Sequence, residues 1–380
     1  MRQLPTTFRL HHFTRACLKA VAALAVVAGA AAPALAQEEK VLNIYNWSDY
    51  IGEDTVKNFE KETGIKVRYD NFDSNEILHS KLVAGKSGYD IVVPSASWAR
   101  MQIDTNLLRP LDKSKLSNLG NLDPALQAQI AKIDAGNKHL VTWLWGFNTV
   151  GINVDKVKAA LGNLPMPDNS WDLVFNPKYI SKLKSCGVSF TDSPSEILPL
   201  ALLYAGKPAY SKVAADYQVA SDVLQSIRPY VTLFSSSGYI NDLANGTVCV
   251  ALGYSGDINI ARRRAIENKT GQNIVALVPK GKGTLFFDTM AIPADAPHPN
   301  NAHLFINYIL RPEVHAGLTN RVFYANPNLA SLKHVKKDIA SNKSIFLSGE
   351  GKAKMSAPEP LGADIRRAAT RVYTKFKSGL

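Results

Sequence analysis

Three cysteines in 380 residues exclude a disulfide-dense scaffold. Cys17 lies near the N-terminus, so Cys186 and Cys249 are the pair that remains further along. Two thiols with no histidine close by do not complete a zinc shell, and the histidines His79, His139, His298, His303, His315 and His334 form no paired-ligand motif. A phosphate loop is missing as well. Gly85-Lys86-Ser87 has Ser80 where a glycine is required, and it follows a helical pattern rather than a strand. The nucleophile elbow of hydrolases fails by one position, since Gly253-Tyr254-Ser255-Gly256 closes too early. After residue 36 no apolar run approaches the ~18 residues of a membrane-spanning helix. Metal hydrolysis, phosphate-loop chemistry and a membrane-embedded body therefore find no support. A carboxylate-based exported hydrolase stays open, because Asp257 or Asp288 would serve that chemistry too.

What the chain does have begins with an export signal. Arg2, Arg9, Arg15 and Lys19 form a basic segment, residues 20–32 are small and apolar, and Ala34-Leu35-Ala36 fits a small-x-small cleavage motif. Cleavage after Ala36 leaves Gln37 as the first mature residue and sends the product to the periplasm. The net charge of +12 falls to +8 once those four basic residues are set aside. The basic residues are scattered except for Arg262-Arg263-Arg264 and the stretch 366–377. Both have helical spacing and read as solvated helix faces, so nucleic acid is not expected as a partner. In an oxidising compartment Cys186 and Cys249 read as a disulfide, which in the chain-entropy model contributes about 4 kcal/mol.

Strand and helix signals alternate along the remainder. Strands are expected at 41–45, 65–69 and 89–93, with helices at 54–63, ended by Gly64, and at 74–84, capped by Ser74. Short strands alternating with helices of about ten residues indicate parallel βαβ units. The pattern changes near residues 140–152, where two extended runs flank Gly146 and read as a first crossing between domains. A second α/β block follows, with helices at 155–161, 211–226 and 239–245 and strands at 187–190 and 248–252. A return strand is expected at 274–279 and a helix at 300–310. The domain organisation that follows is a signal at 1–36, a first lobe of 40–144 plus 273–322, and a second of 145–272 plus 323–380.

The chemistry concentrates at strand ends. Asn46-Trp47-Ser48-Asp49-Tyr50 follows the first strand and puts a large ring, a hydroxyl, a carboxylate and a phenol side by side. Tyr254-Ser255-Gly256-Asp257 and Phe286-Phe287-Asp288 repeat the pairing of ring and carboxylate, and Phe323-Tyr324 adds rings alone. An ammonium group takes these two partners, a ring face and a charged acceptor. Glu196 opens a helix after residues 189–195. Ser95 either meets a ligand or caps the helix that starts near Ser97, and Ser236 in the run 235–238 carries the same two readings. Trp143, Trp145, Trp171 and Phe190 read as core.

These segments resemble a known family. The run from Ile44 through the pentad is similar to the bacterial periplasmic polyamine-binding proteins, the solute receptors of ATP-driven polyamine importers. Residues 72–76, 92–97, 184–190, 239–246 and 322–326 resemble its putrescine-binding branch. The resemblance implies an α/β, type II periplasmic-binding fold whose two lobes, joined by a hinge of crossing strands, close on a diamine. It implies carboxylate partners at Asp49, Asp257, Asp288 and Glu196, rings at Trp47, Phe286 and Tyr324, and hydroxyls at Ser48, Tyr50 and Ser95, with Tyr254 and Ser236 kept as candidates from the residue pattern. It also implies a cystine between Cys186 and Cys249, no metal and no cofactor, and a monomer that docks on the membrane permease of an ABC importer. Tyr254 departs from the tryptophan of that branch. The smaller ring leaves the rank order of putrescine, cadaverine, agmatine and spermidine open.

Overall fold

Three consecutive strands build the first sheet. β1 (Val41–Trp47) lies between β2 (Lys66–Phe72) and β3 (Ile91–Val92), all parallel, in the order β2-β1-β3. The computed structural model describes residues 38–380, and Lys40–Leu380 form one unit. The expected export signal and its cleavage after Ala36 lie outside the described residues. The crossover helices start and stop where the sequence indicates. Helix Thr55–Thr63 ends at Gly64, whose φ of 70° lets its N–H return to the Glu60 carbonyl. Helix Asn75–Val83 is capped by the Ser74 hydroxyl, which accepts from the Ile77 N–H.

The second sheet turns on one long strand. β4 (Val141–Asn153) runs unbroken through both expected extended segments and through Gly146, and every one of its residues is buried. Burial on both faces removes the apolar–polar alternation that would mark it as a single strand. At Gly146 an added Cβ would fall 2.7 Å from the Phe286 ring, so only glycine lets strand and ring approach. The remaining strands are β5 (Val188–Phe190), β6 (Leu233–Phe234), β7 (Val250–Tyr254), β8 (Ile274–Ala276), β9 (Gly283–Met290) and β10 (Met355–Ser356). Their order is β10-β9-β4-β7-β5-β6, with β8 also on β4. β5 pairs in parallel with β6 and β7, as the βαβ reading expects. β4 runs antiparallel to β7, β8 and β9, making the sheet mixed. β9 has no counterpart in the sequence reading. Its eight buried residues show no alternation, and its Phe286-Phe287-Asp288 segment was read only as a ligand motif.

This topology brings distant strand ends together. β1 ends at Trp47, β7 ends at Tyr254, and β9 carries Phe286 and Asp288 along the first half of β4. A continuous apolar core holding Leu42, Ile44, Phe59 and Phe305 extends to Tyr50, Phe286, Tyr324, Tyr239 and Ile258. The rings around the strand ends are thus anchored in a packed interior. A second core around Val150, Phe175, Phe190, Leu224 and Phe376 underlies β5 and β7. Cys186 and Cys249 are bonded across 63 positions of sequence, tying the entry of β5 to that of β7. The tryptophans Trp143, Trp145 and Trp171 and Phe190 are buried, as read from the sequence. Among the described residues no helix is long and apolar enough to cross a membrane.

Candidate ligand-binding site

A pocket of about 510 Å³, its open mouth included, lies where these strand ends meet. Its lining draws on widely separated stretches of chain: Trp47, Ser48 and Tyr50 at and just past the end of β1, Phe72 and Asp73 at and just past the end of β2, Ser95, Ser236 and Ser237, Tyr254 and Asp257 at and just past the end of β7, Phe286 and Asp288 in β9, and Tyr324.

Two carboxylates define its chemistry, Asp288 buried and Asp257 half-buried. Asp288 lies on β9 opposite Ser95. Its carboxylate accepts from the Ser95 hydroxyl at 2.7 Å and from the Tyr50 phenol at 2.9 Å. Ser95 occupies the N-terminal boundary of helix Ala96–Asp104, yet its side chain makes no capping bond. The hydroxyl points to Asp288 instead, and it accepts from the Asn75 amide at 3.1 Å. Asp257 sits in the first turn of helix Ser255–Glu267. It accepts from the Tyr239 phenol at 2.6 Å and from the Tyr324 phenol at 2.5 Å. Each carboxylate is therefore held by two hydroxyl groups. Among the described residues neither takes part in an ion pair with a basic side chain.

Such groups are costly to keep ionised. Burial pushes Asp288 up to about 6, against the opposing pull of the Ser95 and Tyr50 hydrogen bonds. Burial likewise pushes Asp257 up to about 6, although Tyr239, Tyr324 and more distant Arg264 favour its charged form. Asp257 adds to the rise at Asp288, and Asp288 in turn adds to that of Glu196. The carboxylates thus form an interacting row, which continues from Glu196 to Glu76. Burial is the main cause that brings Glu196 to about 7. Carboxylates gathered in this way, largely shielded from water and in no ion pair with a basic side chain, make a field that attracts a cation.

Aromatic rings make the walls. Tyr50 and Tyr324 meet edge to face at 4.9 Å, Tyr324 and Phe286 at 5.9 Å, and Phe286 and Tyr254 at 5.0 Å. On the opposite side Trp47 packs on Phe72 at 4.5 Å, and its ring N–H donates to the Val93 carbonyl at 2.9 Å. Gly256 makes one of these approaches possible, because a Cβ there would come within 2.3 Å of the Tyr324 ring.

Two of the residues singled out from sequence stand apart from the pocket lining. Asp49 turns away in a left-handed conformation, φ 55°, and pairs with Arg264 at 2.9 Å, its side chain about half exposed (49%). That pair joins the loop after β1 to the helix after β7. Glu196 lies behind the pocket and accepts from the Asn148 amide at 2.7 Å. Conversely, Asn75, Tyr239 and Asp73 belong to the site's surroundings and were not selected individually. Asn75 and Tyr239 lie in the segments 72–76 and 239–246 that carry the family resemblance, which was the available signal. Among the described residues no cluster of three or more histidine, cysteine or carboxylate side chains is arranged to hold a metal ion.

Known proteins match this architecture along nearly the whole chain. The Escherichia coli putrescine-binding periplasmic protein PotF is 49% identical over 346 residues, 91% of this chain and 93% of its own. The Pseudomonas aeruginosa putrescine-binding periplasmic protein SpuD is 47% identical over 95% of this chain and 98% of its own. A solved structure of the spermidine/putrescine ABC transporter substrate-binding protein PotD from Streptococcus pneumoniae superposes with a TM-score of 0.72 at 27% identity, covering 90% of this chain and 99% of that one. The fold is accordingly that of the periplasmic binding components of ABC transporters, two α/β lobes about a cleft, as the sequence resemblance implied. The model for bacterial extracellular solute-binding proteins matches residues 54–346, and the chain belongs to that family, within the group that contains the putrescine-binding periplasmic proteins.

Proposed function

We propose that this protein is a periplasmic receptor that binds putrescine between its lobes and delivers it to the permease of an ABC importer. The observation that carries the reading is the pair Asp257 and Asp288, set beside aromatic rings in one pocket and in no ion pair with a basic side chain among the described residues. A diamine supplies one ammonium to each. Asp257, oriented by Tyr239 and Tyr324, takes one end, with Ser48 at hand. Asp288, oriented by Ser95 and Tyr50, takes the other, with Glu196 behind it. The stem of four methylenes runs between Trp47, Phe286, Tyr254 and Tyr324 and gains roughly 3 kcal/mol from leaving water.

The lobes correspond to 40–144 plus 273–322 and 145–272 plus 323–380. In this assignment Asp288 and Asp257 belong to opposite lobes. Empty, they repel on closure. A dication removes that repulsion and makes contacts that exist only when the lobes are together, which is what drives closure. The Asp49–Arg264 pair then latches the cleft mouth instead of meeting the ligand. The receptor acts as a monomer, without catalysis, after export and cleavage behind Ala36.

The negative charge that Glu196 and Glu76 add outside the lining favours a second reading, a longer amine such as spermidine in the same pocket. Native mass spectrometry of freshly purified protein tests both. Retention of putrescine supports the first reading and retention of spermidine the second. A protein that retains neither and shows no calorimetric binding of either refutes both.

A further inference from the structure

Tyr324 enters the pocket just past the end of a helix. Helix Pro312–Val322 stops at Phe323, whose φ of 58° and ψ of 26° are left-handed and whose N–H returns to the Thr319 carbonyl at 3.0 Å. Glycine ordinarily takes this place at a helix end. Among the described residues six others than glycine have positive φ. Three are aspartate or asparagine, whose short polar side chains tolerate it, two are lysine, and Phe323 is the one with a ring. For a bulky side chain the conformation is an outlier, and it persists only where the surroundings hold it.

Those surroundings lie on both sides of the turn. Phe323 is half-buried and packs on Ala316, Val335, Ile339 and Ile345 as well as on the main core. It lines a second, open hollow with Gly52, Val314 and Gly317 and is not part of the ligand pocket's lining, whereas Tyr324, the next residue, is. Past Tyr324 the chain is fixed again. The Trp145 N–H donates to the Ala325 carbonyl at 2.8 Å, and the Asn326 amide donates back to the Thr319 hydroxyl at 2.8 Å. Between these anchors the turn sets the direction in which the Tyr324 side chain leaves the backbone. Its phenol then meets Asp257 twice, donating to the carboxylate at 2.5 Å and accepting from the backbone N–H at 3.1 Å.

We propose that Phe323 is a positioning residue: its ring, anchored outside the pocket, holds the left-handed turn that aims the Tyr324 phenol at Asp257. This role rests on the polyamine reading of the pocket and deepens it, since Phe323 sets the affinity without meeting the ligand.

Two substitutions separate the ring from the turn. Phe323→Ala removes the anchor and leaves the backbone as averse to the turn as before. Phe323→Gly removes the anchor and the aversion together. Calorimetry with putrescine on the full chain is expected to show binding about fivefold weaker in Phe323→Ala and within about twofold of the unaltered protein in Phe323→Gly. In a Tyr324→Phe background, which has no phenol to aim, Phe323→Ala weakens binding less than about twofold further. A second readout needs no ligand. In the empty protein the NMR titration of the Asp257 carboxyl carbon moves to higher pH in Phe323→Ala, because the Tyr324 bond favours the charged form, and stays in place in Phe323→Gly. The other groups whose charges reach Asp257 (Tyr239, Asp49, Arg264 and Asp288) are common to all variants. Melting curves check folding, and should Phe323→Ala fail to fold, Phe323→Ser, as small and without glycine's freedom, takes its place with the same outcomes. Equal losses in Phe323→Ala and Phe323→Gly, or an Asp257 midpoint unmoved in both, overturn the positioning role and leave the ring to packing alone. An undiminished effect of Phe323→Ala in the Tyr324→Phe background overturns it too. If the unaltered protein binds no amine, the polyamine reading fails, while the Asp257 titration still decides the role of Phe323.

Discussion

Acidification should weaken putrescine binding steeply, and the structure sets the size of the effect. Asp257 and Asp288 each titrate near 6 in the empty pocket because burial opposes their charge. A dication requires both to be ionised. Each is about 90% ionised at pH 7 and about 10% at pH 5, so the fraction with both charged falls roughly a hundredfold, or about 2.7 kcal/mol. Glu196, near 7 and next in the row, makes the slope steeper at its upper end. Binding must therefore expel protons, about one per putrescine at pH 6 if each carboxylate gives up half of one. The empty protein behaves in the opposite sense. The folded values lie above the ordinary carboxylate range, so the stability these two groups contribute is fully present below about pH 4 and is lost as pH rises through 6. Calorimetric titrations at pH 7, 6 and 5, in buffers of different ionisation enthalpy, give affinity and proton count together. An affinity constant across that range, or no proton release at pH 6, would refute the argument from buried carboxylates.

Three further outcomes follow from particular contacts. Asp257→Asn leaves Tyr239 and Tyr324 without a charged acceptor and one ammonium without a counter-charge; at least a tenfold loss of putrescine affinity is expected by calorimetry. Asp49→Asn should differ sharply, since a half-exposed pair with Arg264 is worth about 0–1 kcal/mol: the melting temperature of the empty protein stays nearly unchanged and ligand dissociation quickens only a few-fold. A loss in Asp49→Asn as large as in Asp257→Asn would put Asp49 back against the ligand, where the sequence resemblance had it. Gly256→Ala drives a Cβ into the Tyr324 ring, and about 1–3 kcal/mol of destabilisation is expected in denaturant titrations together with weakened putrescine binding.

Much of this was legible before any coordinates. The helices at Thr55–Thr63, Asn75–Val83 and Tyr239–Asn245 carry their own stop, cap and periodicity, and they fall where those signals stand. The repetition of ring beside carboxylate at strand ends selected Asp257 and Asp288 as candidates, and the fold sets both in the lining of one pocket. Other features depend on partners far away in sequence. Ser95 has the local pattern of a helix cap, and only the approach of Asp288, 193 positions on, turns its hydroxyl elsewhere. Asp49 carries the same local signature as Asp257, but a left-handed backbone and the position of Arg264 take it out of the lining. β9 escaped notice because a strand buried on both faces has no alternation to betray it.

The central claim is that two charges on the ligand answer the two pocket carboxylates, Asp257 and Asp288. Comparing putrescine with its mono-acetylated form at pH 7.5, by calorimetry on the unaltered protein, tests this most directly, because the stem is kept while one ammonium is removed. The account predicts one putrescine per chain and an acetylated form weaker by roughly thirtyfold or more. Equal affinities for the two compounds would contradict it.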